Sequence, residues 1–333
     1  MLVFAFIALI ASGLSWTLVG AATGGVSRRG IDPTYMLLCG NILGLLISAV
    51  ILMIGVARGA DMFYTEAPLV YYLCHAGSGA VNYLLTFLAA LAMARGPNNI
   101  VWGIWQSGTI FPFIMGGVFF GVPMPWSRIL GMALMLTAVI LFSVTRKSQN
   151  GAVVKGSRWV WIMLCLCCFV TCGMQQCLAN LPSYNREAQL IHPVFRALLS
   201  SIGAMLPALL AVVLPVFMGR TRIKFAEFGK KWLWIYIFIQ IVIGLLVSYL
   251  LTAPALDIMA NNGCGSIAYP IMVVSCIVGF FLFSALILHE KTSWVQWVAF
   301  AACVVGIAIA AYIPEDKEQQ PPETEAVQLQ NNE

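Results

Sequence analysis

Apolar runs long enough to cross a membrane fill most of this chain and limit what it can fold into. Of 333 residues, 61% are hydrophobic and 9% are charged, and the mean hydropathy of +0.90 lies far above that of a soluble globular chain. Crossing about 30 Å of hydrocarbon takes roughly 20 residues of helix, in which every backbone polar group is paired internally. The runs predict an all-α integral membrane protein with ten transmembrane helices near residues 2–22, 34–57, 68–93, 98–120, 127–145, 159–180, 194–218, 232–260, 265–289 and 293–313.

The basic residues predict which side of the membrane each connection faces. When Lys and Arg are sorted by alternate connections, thirteen fall on one side and five on the other. Because cytoplasmic connections carry the excess of positive charge, we place the odd-numbered connections in the cytoplasm. Both termini are then expected on the non-cytoplasmic side of the cell (inner) membrane. The net charge of +5 follows from this bias and needs no nucleic acid or acidic substrate to explain it. We therefore expect the lipid bilayer, and no nucleic acid, as a partner.

Two segments of the chain are nearly the same. They share a Tyr-Leu-Leu-Thr run and the same small or Met residues at the same offsets: Tyr83-Leu84-Leu85-Thr86 with Ala89, Met93 and Ala94, and Tyr249-Leu250-Leu251-Thr252 with Ala255, Met259 and Ala260. Each copy falls in the third span of a five-span half. An odd number of spans reverses the orientation of the second half, so the sequence predicts two inverted five-helix repeats, an architecture of transporters.

Four regions follow from this repeat. Residues 1–145 are expected to form the first five-helix repeat and residues 159–313 the second. The polar stretch 146–158 is expected to be a basic cytoplasmic linker between them. Past residue 313 the composition changes to Gln, Pro and Glu, which bury too little apolar surface to fold. Residues 314–333 are therefore expected to form a disordered acidic tail.

The organisation of the chain resembles that of the drug/metabolite transporter superfamily, and specifically its EamA-type ten-helix members. The residues that carry the resemblance are Gly279 through Leu288, the turn His289-Glu290-Lys291 and the last helix with Gly306. The matching turn of the first half, Gly121-Val122-Pro123, has no acidic residue and departs from that pattern. A looser likeness to rhamnose-type sugar symporters of the same superfamily lies in Gly13, Trp16, Leu18, Gly20, Ala21, Asn82, Tyr83 and Thr86. The resemblance implies the fold of a small-solute transporter.

Two ionisable side chains are expected within the membrane. Because a charge at membrane depth costs about 2.5–3.5 kcal/mol on insertion scales, His75 in the third span and Asp257 near the end of the eighth are candidate coupling groups for a proton or sodium ion. The alternatives are that His75 only donates a hydrogen bond to a neighbouring helix, and that Asp257 lies at the membrane interface, where its charge costs little.

A larger set of uncharged polar and aromatic side chains is expected at membrane depth. Hydroxyl, carboxamide and indole groups suit a polyol as the solute, because the hydroxyl groups of a polyol form hydrogen bonds and its C–H groups stack on aromatic rings. They suit an amphipathic amine as well, and some serve only to pack helices. The candidate substrate-binding residues are Trp16, Asn82, Tyr83, Trp102, Gln106, Gln175, Gln176, Tyr249 and Tyr269.

These features predict a secondary transporter of a small polar organic metabolite, a sugar or similar, that works by alternating access as a monomer or homodimer. The sequence has no nucleotide-binding glycine loop, so the predicted energy source is an ion gradient. The first alternative is a multidrug, amine or amino-acid exporter, and the second is an intramembrane enzyme. For that enzyme the sequence offers no catalytic constellation. We expect no catalytic residue, no metal and no cofactor.

Overall fold

The computed structural model describes residues 1–96, 98–145, 157–219, 224–282 and 293–312. Every regular element among these residues is helical. The α-helices are α1 (Leu2–Arg28), α2 (Pro33–Ala57), α3 (Leu69–Arg95), α4 (Asn98–Ser107), α5 (Ile110–Phe119), α6 (Trp126–Thr145), α7 (Arg158–Asn180), α8 (Arg186–Gln189), α9 (Pro193–Phe217), α10 (Lys231–Ile241), α11 (Ala253–Asn261), α12 (Gly265–Leu282) and α13 (Trp294–Ala311). A π-helical segment, Val242–Thr252, joins α10 to α11, and short 3-10 turns form at Leu181–Tyr184 and Phe225–Gly229.

Seven helical runs in the described part of the chain are long and apolar enough to cross a membrane. They are Leu2–Val26, Pro33–Ala57, Leu69–Arg95, Arg158–Tyr184, Pro193–Phe217, Lys231–Asn261 and Trp294–Ala311. Two shorter apolar helices, Trp126–Leu141 and Gly265–Gly279, lie among them. Large apolar side chains such as Phe4, Phe217 and Trp126 are exposed on the outside, as expected for a surface that contacts lipid. The chain is an all-α, multi-pass membrane protein.

Two expected spans are not regular α-helices. The span expected at 98–120 is divided into α4 and α5 at Gly108, where a Cβ would lie only 2.7 Å from the carbonyl oxygen of Phe169 in α7. The helix expected at 232–260 is continuous from Lys231 to Asn261, but its middle is π-helical. Pro254 follows that segment and has no N–H to continue an α-helical ladder. π-Helical turns occur often at functional sites.

Three expectations fall on residues that the structure does not describe. Of the expected linker 146–158, only the last two residues are described, and α7 begins at Arg158. The expected tail 314–333 and the turn His289-Glu290-Lys291 lie outside the described residues. The span expected at 265–289 is described as a helix as far as Leu282.

The helices pack in a small number of extensive pairs. Helix α1 lies against α12, the π-helical segment, α10 and α11, while α3 lies against α7 and α9. Helix α2 packs on α9 and α10, and α7 packs on α4 and α5. The pair α6 and α13 meets through small residues, since a Cβ on Gly131 would lie 2.7 Å from both the Gly306 carbonyl oxygen and the Ala310 methyl group. Such small-residue contacts let membrane helices approach closely.

The connections between helices gather at two ends of the bundle. One end, here called the Arg196 end, carries Arg128, Arg196 and Asp257. There the Arg128 guanidinium donates to the Gly263 carbonyl oxygen at 2.7 Å, and the side-chain amides of Gln189 and Asn261 donate to each other at 2.9 and 3.0 Å. These bonds join the fourth and sixth connections of the predicted order to the eighth.

The opposite end, here called the Lys224 end, carries Asp32, Lys224 and Lys230. The Lys224 ammonium lies 3.3 Å from the Asp32 carboxylate, and the Lys230 ammonium donates to the Gly30 carbonyl oxygen at 3.1 Å. These contacts join the first connection to the seventh. The predicted grouping of odd-numbered connections therefore holds for these two, while the membrane that the protein occupies and the side that each end faces stay predictions.

Candidate functional site

A cavity of about 160 Å³ lies between the helices and extends as far as Arg196. Trp16 and Asn82, which line it, stand at the middle of α1 and α3. Other walls come from α2, α4, α7, α9, the π-helical segment and α12. One water molecule takes up about 15 Å³ of this volume, so the cavity has room for on the order of ten waters. That is the volume of a small organic solute.

Eight of the eleven residues that the sequence singled out line this one cavity. They come from six different helical segments and are uncharged polar or aromatic side chains, apart from the titratable histidine: Trp16, His75, Asn82, Gln106, Gln175, Gln176, Tyr249 and Tyr269. The structure brings together residues as far apart in sequence as Trp16 and Tyr269. Whether each contacts a solute stays a prediction.

Three of the singled-out residues do not line the cavity. Tyr83 follows Asn82 and therefore points about 100° away around α3, into an apolar cluster where its ring stacks on Phe87 with centroids 6.3 Å apart. Trp102 packs edge-to-face on Trp105 at 4.6 Å. A Cβ on Gly20 would touch the Trp102 ring at 2.8 Å, so the indole is held beneath α1. In α4 it is Trp105, one turn further on, that lines the cavity.

Asp257, the third, is paired with a cavity residue. Its Oδ2 lies 2.8 Å from one terminal nitrogen of Arg196, and its Oδ1 accepts from the other at 3.1 Å. The Arg196 side chain is only 2% exposed and that of Asp257 15%. Arg196 also donates to the carbonyl oxygens of Ile191 and Gln189 at 2.8 Å each, so most of its donors are occupied.

Arg196 lines the cavity, although it is one of the five basic residues that the charge sorting assigns to the even-numbered connections. A local signal was present, because Pro193 is typical of the first position of a helix and places Arg196 in the first turn of α9. Its neighbour His192 caps that helix, with Nδ1 accepting from the Val194 N–H at 3.2 Å. Burial, and then the Arg196 guanidinium, hold the pKa of His192 below its usual value.

Several polar atoms around the cavity are buried and have no hydrogen-bond partner among the described residues. They are Trp16 Nε1, His75 Nε2, Gln176 Oε1 and Ser183 Oγ. Buried polar groups in native proteins are nearly always paired, and each exception calls for an explanation. The indole N–H only donates and the carboxamide oxygen only accepts. A molecule that satisfies this set therefore carries both donors and acceptors.

Other polar residues of the lining pair with each other or with neighbouring residues across helices. The Gln175 amide of α7 donates to the Ser78 hydroxyl of α3 at 3.2 Å, and the Thr252 hydroxyl donates to that of Ser12 at 2.9 Å. In the described part of the chain, no three His, Cys, Asp or Glu side chains lie close enough together to hold a metal ion. The described lining also has no carboxylate. Arg196 is its one fixed charge, and Asp257 balances that charge.

The comparisons with known proteins establish the fold and no more. No family model and no curated protein matches the chain. Twenty-five solved chains match in structure. One, described only as the crystal structure of a protein, covers 92% of this chain and 95% of its own length, with a TM-score of 0.60 and 13% sequence identity. The arrangement of these helices therefore exists in a solved protein, while function must be argued from the cavity.

Proposed function

We propose that this protein is a secondary membrane transporter of a small polar organic metabolite, a sugar or similar. The observation that carries the proposal is the cavity between the membrane helices, whose described lining combines uncharged hydrogen-bonding groups and indole rings with a single charge, that of Arg196. Transporters of this general design bind their solute near the middle of the bilayer, between two related halves, and expose it alternately to either side.

Helix packing supports the proposed inverted repeat of five plus five helices. If the two halves are equivalent, each contact between helices must recur between their counterparts. In that case α7 is the counterpart of α1, α9 of α2, the run from α10 through α11 of α3, and α12 of α4 and α5. The α1–α12 contact then corresponds to the contact of α7 with α4 and α5, and the α3–α7 contact to that of the π-helical segment with α1. The α3–α9 contact corresponds to that of α10 with α2. All of these are present. The α2–α9 and α6–α13 pairs each map onto themselves. This is the arrangement that membership of the drug/metabolite transporter superfamily implies.

The charge of the cavity favours a neutral solute over a cation. In a cation exporter a carboxylate is expected to face the transport pathway, and the described lining of the cavity contains none. Asp257 lies outside the lining and is held by Arg196. A free carboxylate solute is also less favoured, because the charge of Arg196 is already balanced. A hydroxylated neutral molecule fits the Trp16 donor and the Gln176 acceptor, neither of which is paired with any described residue.

The proposed coupling ion is a proton, carried by His75. Its imidazole is buried in the cavity wall, with Nε2 free of any partner among the described residues. A histidine in contact with the solute space is able to exchange a proton as the cavity changes its exposure. Asp257 then acts as the partner of Arg196 and not as a second carrier. We further propose that both termini face outward from the cell (inner) membrane and that the unit is a monomer or homodimer.

Uptake into sealed proteoliposomes tests this proposal. We expect one or more of a panel of labelled monosaccharides and polyols to accumulate when a pH gradient is applied, while quaternary amines and amino acids do not. Gln176→Ala should weaken the apparent affinity by about ten-fold, the value of one hydrogen bond. Asn262→Ala is the control, because it removes a carboxamide that lies outside the cavity, is exposed, and donates to the Ile258 carbonyl oxygen of the preceding helix.

The alternatives predict different outcomes of the same assay. Accumulation of amines alone would favour the exporter, and accumulation that ignores the pH gradient and His75→Gln would remove the proton from the proposal. Conversion of a solute by detergent-solubilised protein, without vesicles, would favour the intramembrane enzyme. Failure of every panel member to move in sealed vesicles would contradict the sugar carrier.

A further inference from the structure

A second space of about 290 Å³ lies at the Arg196 end, beyond the central cavity. Its walls come from both parts of the chain and include Phe120, Ser183, Tyr184 and Asn261. Phe120 and Asn261 are exposed, so the space opens to the surface of the protein. Ser183 borders both this space and the central cavity. We call the second space the outer chamber.

The 3-10 turn Leu181–Tyr184 lies between the two spaces, since Ser183 lines both of them and Tyr184 lines the second. The Tyr184 ring stacks on Phe120, with centroids 4.1 Å apart and planes inclined by 4°. Its hydroxyl is inserted in a slot between α5 and α12, where a Cβ on Gly116 or Gly265 would lie only 2.9 or 2.8 Å away from the hydroxyl oxygen. One helix of this slot belongs to residues 1–145 and the other to the second part of the chain, so their separation would release the ring.

Ser183 has a hydroxyl that the protein does not use. The residue is 1% exposed, and its Oγ has no hydrogen-bond partner among the described residues. Its carbonyl oxygen, in contrast, accepts from the Gln189 amide at 2.7 Å. An aliphatic side chain would bury at lower cost at this position, so a hydroxyl at the junction of two spaces points to a polar molecule that passes there.

We propose that the outer chamber is a second binding site for the solute of the central cavity, reached past Ser183 and closed by the Tyr184 ring. This proposal rests on the proposed transport function. Among the described residues of the chamber there is no charged side chain. The Phe120 and Tyr184 rings offer faces for C–H groups, and Ser183 offers a hydroxyl that has no partner among the described residues. The chemistry therefore fits the same neutral, hydroxylated class.

Thiol labelling tests the barrier without any knowledge of the substrate. Ser183→Cys changes one atom, and a membrane-impermeant methanethiosulfonate reagent is added in turn to each face of sealed vesicles. We expect slow labelling from one face only, at least ten-fold faster labelling when Tyr184→Ala is added, and no acceleration with Tyr184→Phe, which keeps the ring. The unmodified protein, with its ten free cysteines, gives the background. Equal labelling rates in the Tyr184→Ala and Tyr184→Phe backgrounds would overturn the proposed barrier.

Protection from the same reagent tests the binding site. The probe is a mixture of D-glucose, D-xylose, L-arabinose and glycerol, with choline as the comparator. We expect the mixture, and not choline, to slow labelling of both Asn261→Cys in the outer chamber and Gln176→Cys in the cavity. Protection at Gln176→Cys alone would overturn the outer site while leaving the transport proposal standing. Protection at neither position would overturn the outer site together with the proposed solute class.

Discussion

Helices α2 and α9 begin alike but are held in place very differently. Each has 25 residues and starts with a proline after a capping side chain. In α2 the Asp32 carboxylate accepts from the Thr34 N–H at 3.1 Å, and in α9 the His192 ring accepts from the Val194 N–H at 3.2 Å. If the halves are equivalent, these two helices are counterparts, and both supply walls of the central cavity.

The walls differ in how closely their neighbours approach. Helix α9 lies directly on α3, because a Cβ added to Gly203 would overlap the Ala76 carbonyl group and one added to Gly79 would overlap that of Ser200. On α2, a Cβ at Gly40 would meet nothing within 4 Å. The α3–α9 contact is closed at the backbone, while α2 borders open space.

The ion pair at α9 is also more deeply buried than the one beside α2. Arg196 of α9 is buried with Asp257, whereas the Asp32–Lys224 pair beside α2 is 28% and 58% exposed. Exposed pairs contribute little and buried pairs are costly to break. Helix α9 is therefore held by packing and charge, and we expect α2 to be the wall with more room to shift in the proposed transport cycle.

Removing the carboxylate that pairs with Arg196 should cause the largest loss of stability. Asp257→Asn leaves the Arg196 guanidinium buried without its counter-ion, and we expect a loss of about 3–5 kcal/mol in the free energy of unfolding. The measurement is the unfolding midpoint of detergent-solubilised protein. Adding Arg196→Met should recover part of the loss, since no buried charge then remains. An unchanged midpoint for Asp257→Asn alone would mean that α9 is not held by this pair.

The glycine contacts give the next largest effect. Gly203→Ala places a methyl group against the backbone of α3, which no rotamer relieves, and should destabilise the protein by about 1–3 kcal/mol. Gly40→Ala is the matched control, because the added methyl group meets open space and should be neutral or stabilise by about 0.5–1 kcal/mol. Equal losses for both variants would contradict the contrast between the two walls.

Periodicity and composition predicted the helical membrane fold, because each long apolar run requires a helix in lipid. They did not predict the break at Gly108 or the π-helical segment at Val242–Thr252. Both depend on packing between distant parts of the chain, such as the approach of Phe169 to Gly108. The length of each apolar run is visible in the sequence, whereas these two local departures from a regular α-helix are not.

The candidate site was predictable to a similar extent. Polar side chains at membrane depth are costly, and this alone singled out residues such as His75 and Gln176, which the structure places around one cavity. The same argument could not tell that Asn82 faces the cavity and Tyr83 does not, because this depends on which helices lie on each side of α3. Arg196 was missed because its burial depends on Asp257, 61 residues away.

The His192 cap of α9 should make the stability of the protein depend on pH. Burial and the Arg196 guanidinium lower the pKa of His192 in the folded protein, whereas the unfolded chain titrates near about 6.5. Below that pH the unfolded state binds more protons than the folded state, so stability is complete above about pH 6.5 and falls as the pH decreases. We expect the unfolding midpoint to decline more steeply in the unmodified protein than in His192→Asn, which keeps a good cap without titrating. Parallel declines would show that the His192 cap is not the source.

The exposed pair beside α2 should give the smallest effect. Lys224→Met removes the ammonium near Asp32 but keeps the Lys224 backbone N–H, which donates to the Tyr35 hydroxyl at 2.9 Å. We expect a loss below about 1 kcal/mol, and one that disappears in 1 M salt, where charges are screened within about 3 Å. A salt-resistant loss close to that of Asp257→Asn would mean that the Lys224 end is fixed as firmly as the Arg196 end. Helix α2 would then no longer be the wall with room to move, since both walls of the cavity would be held with equal strength.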